Sequence, residues 1–219
     1  MTFKAPDSLV EQIAQHLAER IIRGELKERE RIQELKVTQE LNVSRGSVRE
    51  ALLLLERRHL VVIPPRRGAQ VSELTPHHVK SLYALVGELY ILLGRCVAER
   101  WREDSDLDPL RAIQQRLVSH AERGDIGSFV EDSFNVMHTA FPFADNPYLQ
   151  ETLENLIPAV SRAYHLALEK RKTEMGRFLA DFDALLAAVI ERNQQRIREV
   201  LSAYSAHNCQ MVLAALAER

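Results

Sequence analysis

The sequence predicts a mostly α-helical chain in two parts: three short helices closed by a β-hairpin, then an all-α bundle. Three observations carry this. Apolar residues recur at helical spacing along most of the chain, and hydrophobic residues make up 46% of it, enough for a folded core in each part. Aromatics, at 6%, and the eight glycines and eight prolines are too few for a many-stranded β fold. Strand-like residues occur in one place only, on either side of PPRRG at residues 64–68.

Asp7 or Ser8 caps the first helix, whose Val10, Ile13, Leu17 and Ile21 share one face and which Gly24 stops. KERERI is a charged connection. A second helix over about 33–41 ends at Asn42, which tolerates the left-handed conformation a tight helix–helix turn needs. Ser44 caps a third helix with Val48, Leu52 and Leu55 as its buried stripe. Residues 61–63 and 69–71 are short strands, with Pro64, Pro65 and Gly68 at the tip between them. Helix, helix, turn, helix, hairpin is the order of a winged helix-turn-helix with a small β-hairpin wing, assigned to residues 1–73. SELTPHH is the linker, where Thr75 caps a helix that begins at Pro76. Helices near 76–102, 108–123, 126–141, 147–170, 174–193 and 195–217 follow. Breaks fall at DSDLDP, RGD, FPFADNP, EKRKTE and ERNQQ. These make residues 74–219 an all-helical bundle with a core of its own.

Several classes of function are disfavoured. Cys96 and Cys209 are far apart and form no CxxC pair, so a disulfide framework or zinc finger is not expected and a reducing compartment fits. No apolar h-region opens the chain and no apolar run approaches the ~20 residues of a membrane span. The expectation is a cytoplasmic protein that engages no membrane. No paired carboxylates, nucleophilic triad or phosphate loop appears, so no catalytic residue is assigned and the chain is not expected to be an enzyme.

Charge is distributed unevenly. The net charge is −2, yet residues 43–67 hold six arginines against two glutamates. A local basic patch on an acidic chain suits a polyanion. A recognition helix meets base edges and phosphates with its N-terminal residues, which here are Ser44, Arg45, Gly46, Ser47 and Arg49. Arginine grips guanine O6 and N7, or a phosphate, with two parallel hydrogen bonds. Ser44, Ser47 and the positive helix N-terminus suit phosphate. Arg66 and Arg67 ride on the hairpin tip, where Gly68 lets the backbone approach the duplex. The competing reading pairs Arg45 and Arg49 with Glu50 or Glu40 on a solvated face.

The run VSRGSVREALLLLERRHLVVIPPRRGAQV, residues 43–71, resembles the winged helix of the GntR superfamily of transcriptional regulators, whose core reads V-S-R-x-x-V-R-E-A-L and then an apolar hairpin with R-x-G. Glu34 sits where that family carries an acid in its second helix. The resemblance covers about residues 8–72 and implies that Arg45 and Arg49 are the principal DNA contacts. Two departures stand out. Gly46-Ser47 replaces a common Thr-Pro, which puts operator preference at that position in doubt, and His59 replaces a common Gly before the first wing strand.

The second half resembles the FadR-type (FCD) effector-binding and dimerisation domain. FDALLAAVIERN, residues 182–193, follows its closing apolar rhythm, and ADNP, residues 144–147, resembles its S-G-N-P turn. Many relatives bind a divalent metal through an Asp, a His four residues on, and two further His, because residues i and i+4 share a helix face. Counting from Asn146 and Asn193, those four positions fall on Ser133, Met137, Phe182 and Tyr204. None of these makes a good ligand set, and no cofactor is predicted; a divalent Zn, Ni or Mn then has only His138, His165 and His207 as weak candidates. His120 lies on yet another helix.

The effector pocket is accordingly expected to be apolar, with Tyr90, Met137, His138, Arg162, Phe182 and Tyr204 as candidates, and to take a hydrophobic or aromatic small molecule. Val86 and Tyr90 stand where the family often has Arg and Glu. The first bundle helix is apolar on more than one face, through Leu82, Leu85, Val86, Leu89, Tyr90, Leu92 and Leu93, and a homodimer interface is the simplest second burial. The resemblance therefore implies a homodimeric regulator, in sign a repressor, on a pseudo-palindromic double-stranded operator, tuned by a small-molecule effector. The alternatives are a metal-dependent carboxylate-sensing relative, or a helical metal-binding or enzymatic protein with an incidental winged helix.

Overall fold

The computed structural model describes residues 8–170 and 174–218. The chain divides into two compact units, Met1–Leu74 and Thr75–Arg219.

In the first unit the Ser8 hydroxyl accepts the Glu11 N–H at 3.2 Å and opens α1, Leu9–Ile22. Asp7, the other cap candidate, lies outside the described residues. Helix α2, Glu34–Leu41, ends at Asn42 in the left-handed conformation (φ 53°, ψ 48°), the turn its short polar side chain tolerates. Helix α3 is Arg45–Arg57. Ile13, Leu17 and Ile21 of α1 pack with Val48, Leu52 and Leu55 of α3, and Leu60, Val61 and Val71 close the core. Each such side chain, withdrawn from water, contributes about 1.5–3 kcal/mol.

The wing differs from expectation in length and width. Strands β1, Val61–Val62, and β2, Gln70–Val71, are two residues each, antiparallel, with Val61 opposite Val71. KERERI is more than a connection. Ile32 N–H donates to the Ala69 carbonyl at 2.9 Å, Val71 N–H to Glu30 at 3.0 Å, and Arg31 bridges Gln70. This edge pairs β2 on its free side. Its five charges mask the burial of Leu26 and Ile32 at its ends.

The second unit is helical: α4 (Pro76–Arg100), α5 (Asp108–Arg123), α6 (Ile126–Ala144), α7 (Pro147–Lys170), α8 (Glu174–Ile190) and α9 (Gln194–Ala217). Thr75 caps α4 through the His78 N–H at 3.1 Å. DSDLDP holds a 3-10 turn, Asp104–Leu107. Helix α6 continues past the expected end at 141, through Pro142, and stops at Asp145 with φ 45°. Helix α8 ends three residues before the expected 193, where Arg192 turns left-handed at φ 52°. The break expected at EKRKTE falls on residues 171–173, outside the described residues.

Helix α4 packs against α6, α7, α8 and α9. Contrary to the sequence expectation, it is long and apolar enough to cross a membrane by composition, with half of its most apolar window buried inside the unit. Its approach to α9 depends on two glycines. A Cβ on Gly87 would sit 2.7 Å from the Ser205 hydroxyl, and one on Gly94 would sit 3.1 Å from Ile197 and Leu201. Arg192 ties α8 to α4: its guanidinium lies 4.4 Å from the Trp101 ring centroid and donates to the carbonyls of Ala98 (2.8 Å) and Trp101 (2.7 Å). Those are carbonyls at the end of α4 that have no helical partner. Helices α5 and α6 are joined by Asp132, which accepts two parallel hydrogen bonds from Arg116, both 2.9 Å, and further bonds from His120 and Asn135 at 3.1 Å.

Candidate nucleic-acid interface and effector cavity

The start of α3 is built as a basic, capped helix terminus. Ser44 accepts the Ser47 N–H at 3.1 Å, and the two hydroxyls are 2.9 Å apart. Whichever hydroxyl accepts in that pair still has its own proton to donate outward. Arg45 is exposed and has no ion pair among the described residues. Arg49 is also exposed, but its Nε donates to Glu34 Oε2 at 2.9 Å. Its sequence-expected partners were Glu50 or Glu40; Glu40 instead pairs with Arg20 at 3.1 Å. The Glu34 contact uses Nε alone, so the terminal nitrogens of Arg49 can still form a two-pronged contact while α2 fixes the side chain's direction. Gly46 is open: a Cβ there would meet only the Ser44 hydroxyl, at 3.6 Å.

At the wing tip Arg66 and Arg67 are exposed, with Arg66 left-handed at φ 64°. Gly68 is left-handed at φ 73°, and its missing side chain admits the Arg31 guanidinium, 3.4 Å from where a Cβ would be. Arg31 thus joins the wing's basic group. Sequence reading missed it because KERERI shows five charges and no strand alternation.

The helical unit holds a half-open cavity of about 110 Å³, walled by α4, α5, α6, α8 and α9. Ser133, Met137, Phe182 and Tyr204, counted from the two asparagine anchors onto the metal-ligand positions of FCD relatives, all line it. Helix α8 presents Phe178, Asp181, Phe182, Leu185, Leu186 and Val189, an i, i+3, i+4 stripe.

The family called bacterial regulatory proteins, gntR family, matches residues 9–71, and the FCD domain family matches residues 81–207. The chain is a GntR-family regulator with an FCD domain. The HTH-type transcriptional regulator YdhC of Bacillus subtilis (strain 168) is 24% identical over 210 residues, covering 94% of this chain and 92% of that one. The Escherichia coli (strain K12) repressor RspR is 25% identical over 138 residues, 63% of this chain and 60% of its own. Among solved structures, Escherichia coli McbR/YncC superposes with a TM-score of 0.81 at 21% identity, covering 95% and 99% of the two chains. A GntR regulator from Rhodococcus sp. RHA1 superposes at 0.75 with 18% identity and the same coverage. These structures share the fold.

Within the FCD domain, Tyr90, Met137, Phe182 and Tyr204 of the six expected pocket residues line the cavity, and two do not. His138 is exposed: one residue beyond Met137 the helix has turned by about 100°, and the ring packs edge-on against Phe141 with centroids 5.4 Å apart. Arg162 is buried, but it belongs to α7, none of whose described residues lines the cavity. His165 is also on α7, and His207 is 2.7 Å from Glu174 Oε2. His120 is bound to Asp132. Among the described residues, no three His, Cys, Asp or Glu side chains come together as a ligand set.

The cavity does not fit the family's metal. The Ser133 hydroxyl donates to the Val130 carbonyl at 2.7 Å. Met137 offers a thioether and Phe182 no donor atom. Tyr204 is hydrogen-bonded to Asn208, and burial pushes its phenol well above the usual range, so a phenolate ligand is disfavoured. Burial likewise raises Tyr90. The polar wall residue that sequence reading missed is Asp181. Its signal was available: one acid inside the apolar stripe of α8.

Proposed function

We propose that the chain is a homodimeric, cytoplasmic repressor whose FCD cavity binds an apolar small molecule without a metal, and that it is not an enzyme. Arg45 and Arg49 read the major groove, Ser44, Ser47 and the start of α3 hold phosphate, and Arg66, Arg67 and Arg31 follow the backbone beside the wing. The observation that carries the effector reading is the cavity itself: the four positions that correspond by count to the metal ligands of FCD relatives meet there, and they bring Ser, Met, Phe and Tyr. An apolar cavity with few polar groups takes a ligand with an apolar body. The ligand changes DNA affinity only by its differential affinity for the two states of the dimer.

The dimer reading is supported by α4. Leu82, Leu85, Leu89 and Leu92 are spaced three, four and three apart, the seam of a helix pair. Leu85 and Leu92 are 51% and 41% exposed, although the opposite face of α4 is core. The repressor sign follows the naming of the relative RspR. Selection of binding sites from random duplex DNA tests the whole: the expected product is an inverted repeat with half-sites one helical turn or a multiple apart. Recovery of unrelated sequences, or of a single half-site, would contradict a dimeric sequence-reading regulator.

A further inference from the structure

Asp181 stands in the middle of the α8 stripe, one turn from Phe178 and one from Leu185. It shares the cavity wall with Tyr90, Phe134, Phe178, Phe182 and Tyr204, and no Lys, Arg or His is among the described residues lining that wall. The rings are mutually tilted. Phe178 meets Tyr204 edge-on with centroids 5.8 Å apart, and Phe178 and Phe182 lie 6.3 Å apart at 40°. The charges acting on Asp181 come from Arg177, His207 and Glu174. Arg177 is one turn earlier, half-exposed, with Nε 3.7 Å from Oδ2, and His207 is tied to Glu174 at 2.7 Å. Despite Arg177 and His207, burial holds the Asp181 carboxyl above the ordinary range. A partly desolvated carboxylate is stabilised by an opposite charge, and aromatic faces attract cations within about 6 Å. A carboxylate ligand would instead meet a like charge that Arg177, outside the described wall residues, only partly offsets.

We infer that the effector of this cavity is an organic ammonium: an amine or quaternary ammonium on an aromatic or aliphatic body, with Asp181 as its anion and the five rings as its cage. This rests on the cavity being the effector site. It reverses the charge preference of the metal-dependent relatives, which sense carboxylates.

Two matched trios test it by calorimetric titration of the full chain at neutral pH: 2-phenylethylamine, 2-phenylethanol and 3-phenylpropionate, then hexylamine, hexanol and hexanoate. In each trio the ammonium is expected to bind about tenfold or more tighter than the alcohol, a difference of about 1.4 kcal/mol, with the carboxylate weakest. Asp181→Asn is expected to bring ammonium and alcohol to similar affinity while the thermal melt stays in place. The ranking on the unaltered chain decides even where the variant folds poorly. If alcohol or carboxylate binds as well as the ammonium, the ammonium assignment is overturned and the effector cavity stands. If no member of either trio binds, the cavity is not an effector site and both readings fall.

Discussion

Replacing Asp132 by Asn should destabilise the helical unit by a pH-dependent amount that the structure sets. The carboxylate is buried between α5 and α6, and its hydrogen bonds from Arg116, then from Asn135 and His120, outweigh burial and bring its pKa from 3.8 to about 2. A drop of that size corresponds to about 2.4 kcal/mol of stability. Arg116 is half-exposed, so solvent screens the pair and this figure is an upper bound. The pKa is depressed on folding, so the stabilisation is complete above the unfolded value of 3.8 and disappears as pH falls through about 2. Asp132→Asn should therefore cost about 1–2.4 kcal/mol at pH 7, about half that at pH 3, and nothing near pH 1. Trp101, the chain's single tryptophan, lies in this unit and reports its unfolding in urea by fluorescence. Equal stability of variant and parent at pH 7, or a deficit that does not shrink between pH 5 and pH 3, would refute the reasoning.

Three further predictions concern other parts of the molecule. His59 is exposed and left-handed at φ 58°, so His59→Gly should raise the melting stability of the winged unit by roughly 0.5–1 kcal/mol; a lower melting point by circular dichroism would show that the imidazole contributes packing or a contact. If the proposed dimer forms through α4, Leu85→Lys with Leu92→Lys should give folded monomer in sedimentation velocity, and a dimer of undiminished strength would place the interface elsewhere. Arg66→Ala with Arg67→Ala should weaken DNA binding about equally on all sequences and reduce the salt slope by about 2. A loss confined to one sequence would instead make the wing a base reader.

Most of the architecture was legible because its causes are local. Caps at Ser8, Ser44 and Thr75 and the left-handed stop at Asn42 are written in single residues. The glycine that relatives carry at position 59 also had a local cause, since the backbone there has positive φ. What was not legible depends on tertiary neighbours. The third edge of the wing sheet is hidden by charged residues whose backbone does the pairing. Pro142 marks no helix end, because a proline near a helix C-terminus removes one N–H donor from a turn already finishing. The count from the two asparagines placed Ser133, Met137, Phe182 and Tyr204 together, but it could not show that His138 turns outward or that Arg162 on α7 stays out of the wall. Asp181 was legible as one acid inside the apolar stripe of α8, but that this stripe lines a cavity was not.

The proposed reading head of this chain is the start of α3. Fluorescence anisotropy of the full chain on the site recovered by selection tests it most directly, with Arg45→Ala and Arg49→Ala combined. Loss of two base or phosphate contacts at about 1–3 kcal/mol each predicts a drop in affinity of about thirtyfold or more at fixed salt, with the fold intact. Unchanged affinity of the folded double variant for that site would contradict the account.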